Sequence, residues 1–158
     1  MNILTRWTAE AIHRAFRAGV SKFFWYPLRD APKGDLPWSS TEQSGLFFRG
    51  DSIEADKPKK SLRAFRFPMV AYSKRRGATF WGRTPTSRPG LVKLQFRRGG
   101  GWRVVSKTRA NGGGVFQGFA KGRALTRKRG QIRAVHRGES SVPFSLKPVK
   151  DFYQRPFG

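Results

Sequence analysis

The sequence predicts a mainly β fold in which a C-terminal unit of seven short strands follows an incomplete α/β segment. Three observations carry this. Charge divides the chain near residue 70: residues 1–71 hold 12 Lys/Arg and 7 Asp/Glu, whereas residues 72–158 hold 21 and 2. Glycine gathers in the second part. That part also alternates apolar and polar residues with period two, while residues 3–16 repeat apolar side chains at helical spacing. Two composition regimes argue for two structural units, residues 1–67 and 68–158.

The first unit reads as helix, strand, loop, helix. Ile3, Leu4, Trp7, Ala11, Ile12, Ala15 and Phe16 form one apolar stripe, with Arg6, Glu10, Arg14 and Arg17 off it. Gly19 stands where a C-terminal cap belongs. Val20–Leu28 (VSKFFWYPL) is apolar and rich in β-formers, which predicts a buried strand ending at Pro27. Residues 29–50 carry Pro32, Gly34, Pro37, Gly45 and Gly50 and read as a long loop with a short strand at Gly45–Phe48. Lys59–Phe67 (KKSLRAFRF) reads as a short helix entered after Pro58. A helix followed by a strand is half of a βαβ unit, and a piece of this size with one good strand buries too little to stand alone.

The second unit reads as strands near 68–73, 77–83, 91–98, 101–107, 113–121, 130–137 and 142–147. Val92, Leu94 and Phe96 alternate with Lys93, Gln95 and Arg97, one face inward and one wet. Val142, Phe144 and Leu146 alternate in the same way. Gly99-Gly100-Gly101 and Asn111-Gly112 read as hairpin turns. Seven strands at this spacing suit a β-sandwich of immunoglobulin or fibronectin type III size, with Trp102 as a candidate core aromatic.

The stretch Phe67–Gly158 resembles the C-terminal β-sandwich of secreted actinobacterial glycoside hydrolases. The resemblance is carried by FRFPMVAY ending at Tyr72, WGRTPTSRPG at 81–90, VKLQFRRGGGWRVV, the Asn-Gly turn with Val115-Phe116, QIRAV, SVPFSL and RPFG. TAEAIHRAFRAGVSKFFWYPLRD is similar to the last helix–strand step of their (β/α)8 barrel, and QSGLFF with KPKKSLRAF to its closing loop and final helix. The resemblance implies the C-terminal portion of such an enzyme, extracellular, whose partner is polysaccharide or the missing barrel portion. It implies that the acid/base and nucleophile carboxylates, at barrel strands four and seven, fall before Met1. No catalytic residue is therefore carried over, and the chain is expected to be non-catalytic. An aromatic near the end of the eighth strand commonly floors the sugar subsite, which maps onto Trp25, at the face where barrel active sites gather.

Each residue has a plainer reading beside this. Trp25 sits inside FFWY and reads equally as a core aromatic. Arg29 and Asp30 follow the strand and read either as ligands of a sugar hydroxyl or as a loop ion pair. Asp30 and Asp35 share one loop, a poor basis for the flanking carboxylates that hydrolysis needs. His13 and His136 lie too far apart for an HExxH-type zinc site, and the chain has no cysteine, so no metal or cofactor is expected.

The formal charge of +24 raises a different class of partner. Lys74-Arg75-Arg76, Arg97-Arg98 and Arg127-Lys128-Arg129 fall at predicted turns or strand ends. They read as solvated charge, or as contacts to nucleic acid or another polyanion bound without sequence preference. Phe96, Trp102 and Phe116 could stack bases, yet they also alternate as a core does. No RNA-recognition, KH or zinc-finger signature is present, and a basic ribosomal-type protein is the main alternative. Hydrophobic residues at 37% and aromatics at 14% supply a core, which argues against a disordered basic tail. No apolar run is long enough for a membrane-spanning helix. The first 16 residues lack the unbroken apolar region of a secretory signal.

Overall fold

The computed structural model describes residues 3–32, 43–127 and 129–147. Helix α1 runs Ile3–Arg17 and ends in Gly19 at φ +80°, as its stripe and cap residue predict. Two-residue strands β1 (Phe47–Phe48) and β2 (Lys57–Pro58) pair antiparallel, and α2 follows at Lys60–Arg66. The remaining strands are β3 (Met69–Lys74), β4 (Gly77–Arg83), β5 (Gly90–Arg97), β6 (Arg103–Ala110), β7 (Val115–Lys121), β8 (Gln131–His136), β9 (Glu139–Ser140) and β10 (Phe144–Ser145). A 3₁₀ helix, Arg123–Arg127, which the sequence reading did not foresee, separates β7 from β8.

The fold is mainly β and its sheets are antiparallel. One sheet has the order β3-β4-β7, the other β10-β8-β5-β6 with β9 beside β8. Their inner faces share one core. Met69, Ala71, Ala78, Phe80, Phe116 and Ala120 come from the first sheet, and Val92, Leu94, Phe96, Ile132, Ala134 and Phe144 from the second. Strands β6 and β7 run together at one margin, and β3 meets β10 at the other.

The β6–β7 connection differs from a two-residue Asn-Gly hairpin. Asn111 Oδ1 accepts from the backbone of Gly113 and Val115, at 3.0 and 2.9 Å, and Gly114 takes the positive φ of +76°. The asparagine side chain thus closes a longer turn.

Val20–Leu28 is not a buried strand. Phe24 is 85% and Tyr26 84% exposed, and the segment is irregular. Its β-forming residues have no neighbouring strand to pair with among the described residues. Contact with β1 comes only at its end, where the Leu28 carbonyl accepts from the Leu46 and Phe47 amides and the next residue, Arg29, bridges Phe47 in parallel. β-propensity reports fit to a paired surface, so without partners it dictates nothing.

Helix α1 closes the β3 margin. Arg6 Nη1 donates to the carbonyls of Ser145 and Lys147 at 3.0 and 3.2 Å, and its guanidinium lies 4.3 Å from the centre of the Phe144 ring. Further along, His13 and Phe16 each lie 5.1 Å from Trp81 between ring centres, while Ala9 joins the core. The Tyr72 hydroxyl donates to Glu10, and burial with the Glu10 charge pushes its pKa up to about 12. Covering an otherwise open margin satisfies exposed strand backbone and keeps it from pairing with another chain.

His13 gives this docking a pH dependence. Burial, then Arg17 and Arg14, lower its pKa from 6.5. The folded state therefore binds its proton less readily than the unfolded chain, so acid favours unfolding. The contribution is flat above pH 6.5 and is lost progressively as pH falls below that value. The midpoint of urea unfolding should fall from pH 7 to about pH 5, and His13→Phe should reduce that fall. An equal slope in the variant would place the proton uptake elsewhere.

Candidate functional site

The sugar-contact candidates of the first unit hold a loop together. Trp25 is half-buried, donates Nε1–H to the Ser44 carbonyl at 2.8 Å and packs against Phe23 and Phe65. Arg29 donates to Asp56 at 2.6 Å and to the carbonyl of Gly50 at 3.2 Å. Asp30 is 4% exposed, accepts from the Lys59 ammonium at 2.5 Å and from the Gly45 backbone at 3.1 Å. Lys59 also donates to the Gln43 carbonyl and lies 4.8 Å from the centre of the Phe48 ring. Arg29 and Asp30 do not pair with each other: each forms an ion pair elsewhere in the loop, Arg29 with Asp56 and Asp30 with Lys59. Asp35 lies outside the described residues.

The basic runs come together. Strand β3 delivers Lys74, Arg75 and Arg76 to its turn into β4, and β7 ends opposite that turn, with Lys121 paired to Gly77. The backbone of Gly122 donates to the Arg76 carbonyl, and the Ser73 hydroxyl to Leu125 at 2.6 Å. This seats the 3₁₀ helix against the β3–β4 turn, so Arg123 and Arg127 stand beside Arg75 and Arg76. Arg129 follows, and Lys128 lies outside the described residues. Gly130, at φ +97°, then crosses the end of β5. A Cβ there would stand 2.6 Å from the Phe96 ring and 2.7 Å from the Arg97 carbonyl, so only glycine fits. Gln131 pairs with Arg97, which brings the β5–β6 turn with Arg98 to the same end of the molecule. Between Asp56 and Glu139 the chain has 23 Lys/Arg and no acid, so these three connections carry none.

A second feature adjoins this end on the outer face of β5 and β8. Both strands carry the pattern Gln-x-Arg, Gln95/Arg97 and Gln131/Arg133. Antiparallel register sets each glutamine opposite the other strand's arginine. Arg97 donates Nε–H and Nη2–H to Gln131 Oε1 at 3.0 and 2.8 Å, and Arg133 donates Nε–H to Gln95 Oε1 at 2.9 Å. The Trp102 ring covers both guanidiniums, at 4.6 Å from Arg97 and 4.3 Å from Arg133. All five residues are partly exposed.

Trp102 is therefore not a core aromatic, whereas Phe96 and Phe116 are. The β5–β6 register shifts between Leu94 and Gln95, where Val105 is the extra residue. That bulge inverts the side-chain parity before it and puts the start of β6 on the opposite phase. The paired Gln-x-Arg pattern, which the sequence reading passed over, is the signal in the sequence that points to this face.

No family model matches the chain, and comparison with curated proteins and with solved structures finds no match.

The Asp30–Lys59 pair has a direct test. Asp30→Ala leaves a buried ammonium without its carboxylate and should cost about 3–5 kcal/mol in denaturant unfolding. Asp30→Asn with Lys59→Gln should recover part of that loss. A fully stable Asp30→Ala protein would return Asp30 to the ligand reading.

Proposed function

We propose that the chain is a non-catalytic binding module that holds an acidic polysaccharide through its basic end and the adjoining β5–β8 face. The observation that carries the reading is the convergence of Lys74, Arg75, Arg76, Arg98, Arg123, Arg127 and Arg129 on one end, in segments without an acid. Such an end produces a positive field that concentrates a polyanion at its surface and releases that polymer's counterions on contact.

The reading keeps the glycoside-hydrolase resemblance as the source of the polymer's chemistry. On it, the two sheets are an accessory β-sandwich of immunoglobulin or fibronectin type III kind. Three antiparallel strands against five, with β6 in the sheet of its hairpin partner β5 and β7 in the other sheet, support that assignment. The barrel-like origin of residues 1–67 is supported by α1 and the parallel Arg29–Phe47 bridge. The protein would act outside the cell. No helix among the described residues is long and apolar enough to cross a membrane.

The test is affinity for polygalacturonate, a neutral β-glucan and several unrelated single-stranded DNAs across a salt series. Polygalacturonate should bind, the neutral polymer should not, and log K should fall linearly with log salt. DNA should bind without preference among sequences. Failure to bind polygalacturonate would overturn the reading. So would discrimination of more than about a hundredfold between DNAs, which belongs to base-specific recognition.

A further inference from the structure

The described cations of the basic end are mostly solvent-exposed side chains in turns, but Arg97 and Arg133 are held differently. Each guanidinium is fixed through Nε by a glutamine oxygen and through its face by Trp102. This removes the rotamer freedom that an exposed arginine would lose on binding. The glutamine is a neutral acceptor, so each arginine keeps its full charge. The Nη1 groups of both are not used in these bonds, and an arginine fork presents its donors in the spacing of a carboxylate.

The arrangement also crowds like charge. Arg63 on α2, which donates to the Ser140 carbonyl at 3.4 Å, comes near the same group. Burial first, then Arg97 and Arg63, lower the Arg133 pKa. Ordered cations set side by side without a carboxylate cost free energy in the unliganded protein, and a bound anion removes that cost.

We propose that Arg97 and Arg133 form an oxyanion subsite for a single carboxylate of the polymer, with Trp102 as the apolar wall for the sugar ring that bears it. The subsite rests on the acidic-polysaccharide reading for the identity of the carboxylate's carrier. It differs from the rest of the basic surface because its contribution comes from fixed hydrogen bonds and ring contact as well as from counterion release.

Four variants of the full chain test this against polygalacturonate at near-physiological salt. Trp102→Ala removes no charge, and a purely electrostatic surface would not register it. It should weaken binding about tenfold, the scale of one stacked ring. Arg133→Gln should weaken binding by a similar factor. Lys107→Gln removes one charge from exposed β6 outside the stack and should cost only about threefold while lowering the salt slope by one. Gln95→Ala leaves charge and ring intact but frees the Arg133 fork, and it should fall between these values. The last variant keeps the test open should loss of Trp102 impair folding, which the unfolding midpoint monitors.

Equal effects of Arg133→Gln and Lys107→Gln, with none from Gln95→Ala, would overturn the subsite while leaving the binding module intact. In a separate measurement, the wild type is titrated with inorganic sulfate and followed by the arginine Nε–H resonances. Saturable shifts at Arg97 and Arg133 without any polygalacturonate affinity would uphold the oxyanion subsite and sink the polysaccharide reading. Sulfate shifts of equal size at the turn arginines would count against the subsite.

Discussion

Between Asp56 and Glu139 the chain must build a β core while carrying 23 cations and no carboxylate. Self-repulsion on that scale opposes compaction, and salt relieves only the part between exposed groups. The structure meets the constraint in two ways. The outermost cations go to turns, where water screens them. Lys59 and Arg66 reach the carboxylates of Asp30 and Glu139, but others nearer the fold are held by neutral partners: Arg83 donates to the Gly113 carbonyl, Arg97 and Arg133 to glutamine oxygens, and Arg63 to Ser140. Arg6, 8% exposed, uses two carbonyls and the Phe144 ring in addition to Glu10. Carbonyls and rings offer less attraction than a carboxylate would, and they leave the positive charge available to a partner.

The acids go to the other part of the chain, where they do a different task. Asp30 and Asp56 each gather backbone as well as a cation: Asp30 takes the Gly45 amide and Lys59, and Asp56 the Gly50 amide and Arg29. Two carboxylates thus fix the residues between the α1–β1 connection and β2, which have little regular structure of their own. For Asp56 the Gly50 hydrogen bond is the larger cause of its lowered pKa, ahead of Arg29. The uneven charge visible in the sequence therefore corresponds to two modes of construction, a loop fastened by ion pairs and sheets fastened by apolar packing.

What was legible in the sequence follows the same division. Period-two alternation in Val92, Leu94 and Phe96 gives the inner face of β5 directly, because a half-buried strand has one physical solution for its side chains. The apolar stripe and Gly19 give α1 for a similar reason. Val20–Leu28 misleads, since strand formation depends on a neighbour that no local pattern encodes. Trp102 misleads because one inserted residue, Val105, reverses parity, and bulges leave no compositional mark. The meeting of Lys74–Arg76 with Arg123–Arg129 was hidden by about fifty intervening residues and by an unforeseen 3₁₀ helix. Each run was legible, but the site they share is a property of topology.

The choice of glutamine on β5 and β8 bears on what such a face can do. A glutamate at position 95 or 131 would hold the opposite arginine as firmly and would add ion-pair attraction. It would also neutralise that arginine and occupy it with a charge that a ligand must displace. Glutamine fixes the fork through one oxygen and leaves the charge uncompensated, at the cost of repulsion between Arg97 and Arg133. That cost is carried by the free protein and relieved by an anion, so part of the binding free energy is stored in the fold before contact. Trp102 limits the cost by placing ring π-electrons against both guanidiniums, an attraction that strengthens as water is excluded. A surface meant only to stay soluble has no need of this arrangement, since charges left in the turns serve solubility equally well.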